Sequence, residues 1–440
     1  MTTYDASHYQ DFINLDQWLY YLENLHSSEI DMGLTRISQV AERLAIDLSF
    51  AKVITVAGTN GKGTTCAFIE NALLSNFAGN SRKNVAVYSS PHIDCFNERL
   101  RINKNNIDDQ PLIEAFERIE IARQDISLTY YEYTTLAAFL VIMSETPDVI
   151  LLEVGLGGRL DATNIINADI AVITTVDFDH QSFLGNTREA IGFEKAGIMR
   201  RDQDIIIGDT DTPNSVLAQA VGLGAEQYNK LSIRDREFSI NLVDSEHSVW
   251  QWQSTSLTFS NLKVPLIPLD NVATAIMVLE KLKLPLSTHF INQVIENTQV
   301  AGRTELIKQT NHCDIVLDVG HNPQATRYLS SYLKRKKVEC NYLKIYAVVA
   351  MLADKDIMAS LSSLTDDVDY WYTGSLAIPR AASTQQMYTS LIDMTGTINC
   401  FDNIEEAFKI ANTQANKADL ILVFGSFFTV SKIRAQLIKT

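Results

Sequence analysis

The chain has 440 residues, 46% of them apolar and 20% charged, with a formal net charge of -16. That length exceeds what one compact core holds, so two domains are expected. The acidic balance repels polyanions, which sets aside nucleic acid and anionic membrane surfaces as partners but still allows a local basic pocket. The five cysteines, Cys66, Cys95, Cys313, Cys340 and Cys400, have neither metal-ligand nor redox spacing and read as reduced thiols of a cytoplasmic protein. Met1 to Ala6 lacks the basic-then-apolar pattern of a signal peptide. Apolar runs such as Leu136 to Met143 and Leu420 to Phe424 are too short to span a bilayer.

In chain order, Val53 to Ala57 reads as a buried strand that empties into a glycine-rich turn, and Lys62 and Thr64 open a helix. Val85 to Tyr88 is a second strand, ending in Ser89-Ser90-Pro91-His92. Tyr133 to Ser144 reads as a buried helix. Val149 to Leu152 is a strand closed by Glu153, and Ile170 to Ile173 is another, running into Asp177, Asp179 and His180. Continuous apolar strands alternating with helices predict a parallel sheet covered on both faces. In such sheets ligands sit beyond the carboxyl ends of the strands, where the glycine turn, Ser90, Glu153 and His180 all fall. Phe238 to Leu242 and Val249 to Trp252 alternate in polarity and predict a small antiparallel excursion. A helix is expected from Asn271 to Leu282, and Gln299 to Arg303 reads as a hinge. A second α/β pattern follows, with strands at Ile315 to Leu317, Tyr346 to Val349 and Leu420 to Phe424. The expected fold class is α/β: a P-loop-type, mostly parallel sheet ATPase domain over 1–299, then a smaller Rossmann-like α/β domain over 300–440.

The turn carries the strongest chemical signal. Gly58-x-x-Gly61-Lys62-Gly63-Thr64 is a shortened phosphate loop, with Val56 where the longer motif has its first glycine. Backbone N–H groups, a helix N-terminus and a lysine together cradle phosphate. A bare βα turn is the bland alternative, which the strand before, the lysine within and the helix after argue against. Lys62 is assigned to the β/γ-phosphates, and Thr64 or Thr65 to phosphate or metal. Glu153 closes an apolar strand and is suited to Mg²⁺, a hard cation bound through one or two carboxylates plus phosphate; a solvent-facing strand end is equally common. The dense turn Gly155 to Asp161 behind it lets a ligand approach the backbone. For His180, His92 and His321, spacing alone favours structural hydrogen bonds. Lys195, in Glu194-Lys195-Ala196-Gly197, reads by itself as a solvated helix lysine. Asp318, after a buried strand, is placed to accept from a ribose hydroxyl, and Arg303 to reach a phosphate.

Taken together, these motifs resemble those of the folylpolyglutamate synthase family, of the Mur-ligase-like amide ligases, and particularly its bifunctional bacterial branch. The likeness covers nearly the whole chain. It rests on Gly58 to Thr64, on Tyr88-Ser89-Ser90-Pro91-His92, on Glu153 to Asn164, on Glu194 to Gly197 and on Asp318-Val319-Gly320-His321-Asn322-Pro323. The resemblance implies Ser90, Glu153 and His180 as magnesium ligands and Lys195 as a lysine carried as its carbamate. It implies Thr59, Asn60, Gly61, Lys62, Gly63 and Thr64 as the triphosphate cradle, with Asn271, Arg303 and Asp318 as the other ATP contacts. Ile30, Asp31 and Met32, Thr129, Tyr130, Tyr131 and Glu132, and Leu160, Asp161 and Ala162 resemble the segments that embrace the pterin. Two departures stand out: Phe77 to Asn84 looks longer than usual, and Ala350 replaces a familiar glycine.

The implied activity is ATP-dependent addition of L-glutamate to dihydropteroate and to tetrahydrofolate through an acyl phosphate, with Lys62, Lys195 and His180 as the catalytic set. ATP and two Mg²⁺ ions are the implied cofactors, with room for a monovalent cation. ATP is expected between the domains. No coiled-coil heptads appear, and a monomer is expected. The rivals are a folylpolyglutamate synthase without the dihydropteroate activity, a cell-wall ligase using a nucleotide-linked peptide, and an ATP-regulated binding protein. The cell-wall ligase would need a further substrate domain, and about fifty residues precede the loop.

Overall fold

The computed structural model describes residues 12–75, 83–242, 249–394 and 397–438. The opening segment read for a signal peptide, and residues 77–82 of the long Phe77 to Asn84 stretch, lie outside them. The chain forms two compact units. The first takes Met1–Val176, Leu184–Pro265 and Leu269–Asn297; the second takes Asp177–Phe183, Leu266–Pro268 and Thr298–Thr440. The short 177–183 and 266–268 stretches thus cluster with the second unit, although the sequence reading put them in the first.

The first unit is built on an eight-stranded sheet. Across it run Asn105–Asn106, Leu100–Ile102, Val85–Tyr88, Val149–Glu153, Lys52–Ala57, Ile170–Ile173, Asp204–Ile207 and Leu231–Ile233. The six strands from Val85–Tyr88 onward pair in parallel, and the first two form an antiparallel edge. The central strands are buried along their whole length beyond Lys52, as continuous β-branched and leucine runs require when helices cover both faces. One core gathers Trp18, Phe116, Tyr133, Phe139 and Leu152. A second gathers Ala57, Ile173, Ile191, Ile207 and Val216. The Tyr130–Glu145 helix is buried over nearly its whole length, which explains its lack of an apolar stripe. The antiparallel excursion is a three-stranded sheet of Phe238–Leu242, Val249–Ser254 and Thr258–Lys263. Its last strand has only Phe259 and Leu262 buried, too weak a pattern to read from sequence.

The second unit holds a six-stranded sheet, ordered Glu305–Ile307, Asp314–Asp318, Leu420–Phe424, Ile345–Val349, Tyr370–Gly374 and Ile398–Phe401. All its pairings are parallel except that of Glu305–Ile307 with Asp314–Asp318. Its core includes Val316, Leu333, Trp371, Leu422 and Phe424. The α/β class, with a larger mostly parallel domain and a smaller one, is therefore the fold.

Candidate active site

Register places the phosphate loop. Val56 stands beside Glu153 on one side and Val172 on the other, so the Lys52–Ala57 strand releases Gly58 between the ends of its neighbours. Gly58 and Gly61 have φ values of +155° and +88°. A Cβ at Gly61 would lie 2.4 Å from Asn271 Oδ1, and one at Gly58 would lie 1.8 Å from Thr174 Oγ1. Both positions need glycine, one for the left-handed backbone and both for the close approach. The Lys62–Leu74 helix begins at Gly61 without a side-chain cap, and a helix N-terminus attracts an anion. The Lys62 ammonium donates to the carbonyls of Gly58 at 2.9 Å and Thr59 at 3.3 Å. Asn271 Nδ2 donates to Thr64 Oγ1 at 2.7 Å, which brings the Leu269–Lys281 helix onto the cradle.

Two residues that sequence reading missed hold this loop. Thr174 Oγ1 donates to the Asn60 carbonyl at 2.6 Å, and the Asn60 N–H donates to Thr175 Oγ1 at 3.1 Å. The only signal was their position just past a strand that turned out to be the loop's neighbour.

Glu153 is 5% exposed, so it does not face solvent. Its Oε2 would lie 3.4 Å from a Cβ on Gly63, which sets the carboxylate against the cradle. Among the described residues no group of three His, Cys, Asp or Glu side chains could hold a metal. Mg²⁺ does not need one, since it keeps waters and phosphate oxygens and takes one or two carboxylates. A buried carboxylate opening on a phosphate cradle fits that ion. Tyr88 pairs with Leu152, so Ser90 emerges two residues beyond Tyr88 at the same end of the sheet.

Beyond Glu153 the chain turns tightly. A Cβ on Gly158 would lie 2.9 Å from the Glu194 carbonyl and 3.0 Å from that of Lys195. Arg159 N–H donates to the Glu194 carbonyl at 2.7 Å, and Asn164 Nδ2 donates to the Gly197 carbonyl at 3.1 Å. Two motifs some forty residues apart are thereby laid against each other. Lys195, on the Arg188–Ala196 helix, is 3% exposed, which overturns the solvated-lysine reading.

The same turn reaches the segments that the resemblance assigns to the pterin. A Cβ on Gly155 would meet the Tyr131 ring at 2.7 Å, and one on Gly157 would lie 3.7 Å from Met32 Cε. Asp161 closes the turn by accepting from Leu156 N–H at 2.9 Å and from Thr163 N–H at 3.0 Å. Burial pushes the Asp161 carboxyl up, and it pushes the Tyr131 phenol well above the usual tyrosine range. Arg36 joins the other two segments, donating to Asp31 Oδ2 at 2.7 Å and lying 3.2 Å from Glu132 Oε1. Thr129 and Glu132 form the capping box of the Tyr130–Glu145 helix. The Arg99 guanidinium lies 5.5 Å above the Tyr130 ring and donates to His92 Nδ1 at 2.9 Å. Burial and then Arg99 hold His92 down to about 4. Arg36 and Arg99 escaped the sequence reading because nothing local distinguishes them from surface arginines. Ile30 and Leu160, which open two of these segments, are half-buried, and Ala162 is buried at the start of the short Ala162–Ile165 turn of helix.

In the second unit, Asp318 stands beside Phe424 at the sheet's carboxyl end. It accepts from the N–H groups of Thr304 and Gly320, each at 2.7 Å. Burial pushes its carboxyl up, against the pull of Arg303. Arg303 lies 5.0 Å above the Phe427 ring. His180 lies in the 177–183 stretch, which clusters with this unit.

Comparison with known proteins matches the Mur ligase middle domain over residues 56–280 and the Mur ligase, glutamate ligase domain over 302–427. The dihydrofolate synthase/folylpolyglutamate synthase of Escherichia coli (strain K12) is 41% identical over 419 residues, which is 95% of this chain and 94% of that protein. The structure of E. coli FolC in complex with DHPP and ADP superposes with a TM-score of 0.89 at 39% identity, covering 99% of each chain. A bifunctional folylpolyglutamate synthase/dihydrofolate synthase with Mn, AMPPNP and L-glutamate bound gives 0.87 at 41% identity, covering 99% of this chain and 100% of that one. The chain therefore belongs to the Mur ligases and, within them, to the dihydrofolate synthase/folylpolyglutamate synthase family.

Proposed function

We propose that this protein is an ATP-dependent ligase that adds L-glutamate to dihydropteroate, making dihydrofolate, and to tetrahydrofolate, making the polyglutamate tail. The observation that carries the reading is one turn of chain. It leaves the buried Glu153 beside the phosphate cradle, and within four residues Gly155 and Gly157 pass so near Tyr131 and Met32, of the proposed substrate segments, that a Cβ on either would meet them. Phosphate chemistry and the acceptor are thus joined by a short, glycine-rich stretch.

A carboxylate is a poor electrophile at neutral pH, so the acid is first activated. The γ-phosphoryl group passes to a carboxylate oxygen of the substrate, giving an acyl phosphate and ADP. The glutamate amine attacks the acyl carbon, the C–N bond forms, and phosphate leaves with its electron pair as the nitrogen sheds a proton. Lys62, freed from the Gly58 and Thr59 carbonyls, neutralises phosphoryl oxygens, and the loop N–H groups of Thr59 to Thr64 orient them. Glu153, Ser90 and His180 are the proposed Mg²⁺ ligands; the metal when bound screens the repulsion between phosphate and carboxylate. The 3% exposure of Lys195 supports the carbamate, which replaces a buried ammonium by an anion able to face metal. Asn271, Arg303 and Asp318 are the proposed remaining nucleotide contacts. Ile30 to Met32, Thr129 to Glu132 and Leu160 to Ala162 would enclose the pterin. The domain roles proposed are ATP and folate binding over 1–299 and glutamate ligation over 300–440. We place the protein in the cytoplasm as a monomer with small-molecule partners only; among the described residues no helix is long and apolar enough to cross a membrane.

Phosphate release with ATP and glutamate, adding dihydropteroate, tetrahydrofolate or a nucleotide-linked cell-wall peptide in turn, tests the reading. Release is expected with both pteridines and not with the peptide. Release with the peptide alone would sink it, and release with tetrahydrofolate alone would reduce it to the second half.

A further inference from the structure

Asp179 stands outside every role assigned so far. It lies in the second unit, and its side chain is 11% exposed. Three side chains from two separated stretches converge on its carboxylate. Lys355 donates to Oδ1 at 2.7 Å, Asn322 Nδ2 donates to Oδ2 at 3.1 Å, and His321 Nε2 lies 3.5 Å from Oδ2. The backbone N–H of His180 also donates to Oδ1, at 2.8 Å.

Two features point away from a merely structural role. His180 has a φ of +49°, a left-handed conformation that is uncommon for a non-glycine residue and is held in place by its neighbours. Asp179 is such a neighbour, since its carboxylate captures the His180 N–H, and Lys355 and Asn322 in turn fix Asp179. The Lys355 side chain is only 6% exposed. A buried ion pair of this kind stabilises a fold poorly compared with an apolar pair of similar size, so stability alone does not account for it.

We propose that Asp179 is a positioning residue for the divalent metal. It locks the backbone of His180, stands 3.9 Å from the imidazole Nε2, and draws the Asp318–Pro323 and Ala353–Asp356 stretches onto the same carboxylate. This rests on the metal-ligand role given above to His180.

The test is Mn²⁺ binding to the full-length protein with a non-hydrolysable ATP analogue, read from free Mn²⁺ by electron paramagnetic resonance. Asp179→Asn is expected to weaken Mn²⁺ binding roughly 10- to 100-fold, as loss of a ligand's supporting partner does, while analogue affinity without metal stays unchanged. Lys355→Met is expected to weaken Mn²⁺ binding in the same sense by a smaller factor. His180→Gln serves as the control. If His180→Gln loses Mn²⁺ and Asp179→Asn keeps wild-type affinity, the proposal is overturned and the metal role of His180 survives. If His180→Gln binds Mn²⁺ as the wild type does, both fall. Should Asp179→Asn not fold, wild-type Mn²⁺ affinity in Lys355→Met overturns the proposal by itself.

Discussion

Lys62 and Gly61 act through different physics, and their substitutions separate accordingly. In the proposed role, Lys62→Ala removes a preorganised cation from the phosphoryl oxygens and is expected to lower the ligation kcat by roughly 10²- to 10³-fold with little change in stability. Gly61→Ala forces a Cβ to within 2.4 Å of Asn271 Oδ1 at a φ of +88°; strain of this kind costs about 1–3 kcal/mol, so both stability and activity should fall. Steady-state kinetics beside denaturant unfolding distinguish the two, and a Lys62→Ala enzyme with wild-type turnover would remove that residue from the phosphate site. Lys62, Glu153 and Asp318 were legible as candidates because each ends a strand or opens a helix in a recognisable pattern. Arg36 and Asp179 were not, because their importance lies in partners as far away as Glu132 and Lys355.

The Tyr130–Glu145 helix carries one face of the proposed pterin site, and its start is fixed by the Thr129–Glu132 capping box. Thr129→Ala removes the side-chain acceptor and is expected to cost about 1 kcal/mol of stability. The frayed first turn would also loosen Tyr130 and Tyr131, so the KM for dihydropteroate should rise more than kcat falls. Equal losses in both parameters, or none, would show that this helix end does not shape the acceptor site. Strands with continuous apolar runs were read from sequence to within a residue or two, as at Val85–Tyr88 and Leu420–Phe424. The Thr258–Lys263 strand was missed because its two buried residues do not make an alternating pattern.

For the whole molecule, nucleotide and metal binding are linked to folding. Nucleotide with Mg²⁺ at about 100 times its Kd should add about 2.7 kcal/mol of stability, and a chelator should remove the metal-dependent part of that gain. Chemical denaturation with nucleotide, with and without EDTA, measures it; identical curves would mean that the metal contributes nothing to nucleotide binding. The sequence by itself determined the α/β class, the phosphate loop, the strand-end carboxylates and the family resemblance, because each is written in neighbouring residues with fixed spacing. Only the tertiary structure decided that Lys195 is buried, that Gly155 and Gly157 come close to Tyr131 and Met32, and that His180 falls in the same unit as Asp179, His321 and Lys355. Those facts come from packing between stretches far apart in the chain, and local periodicity carries no information about which distant surface a residue will meet.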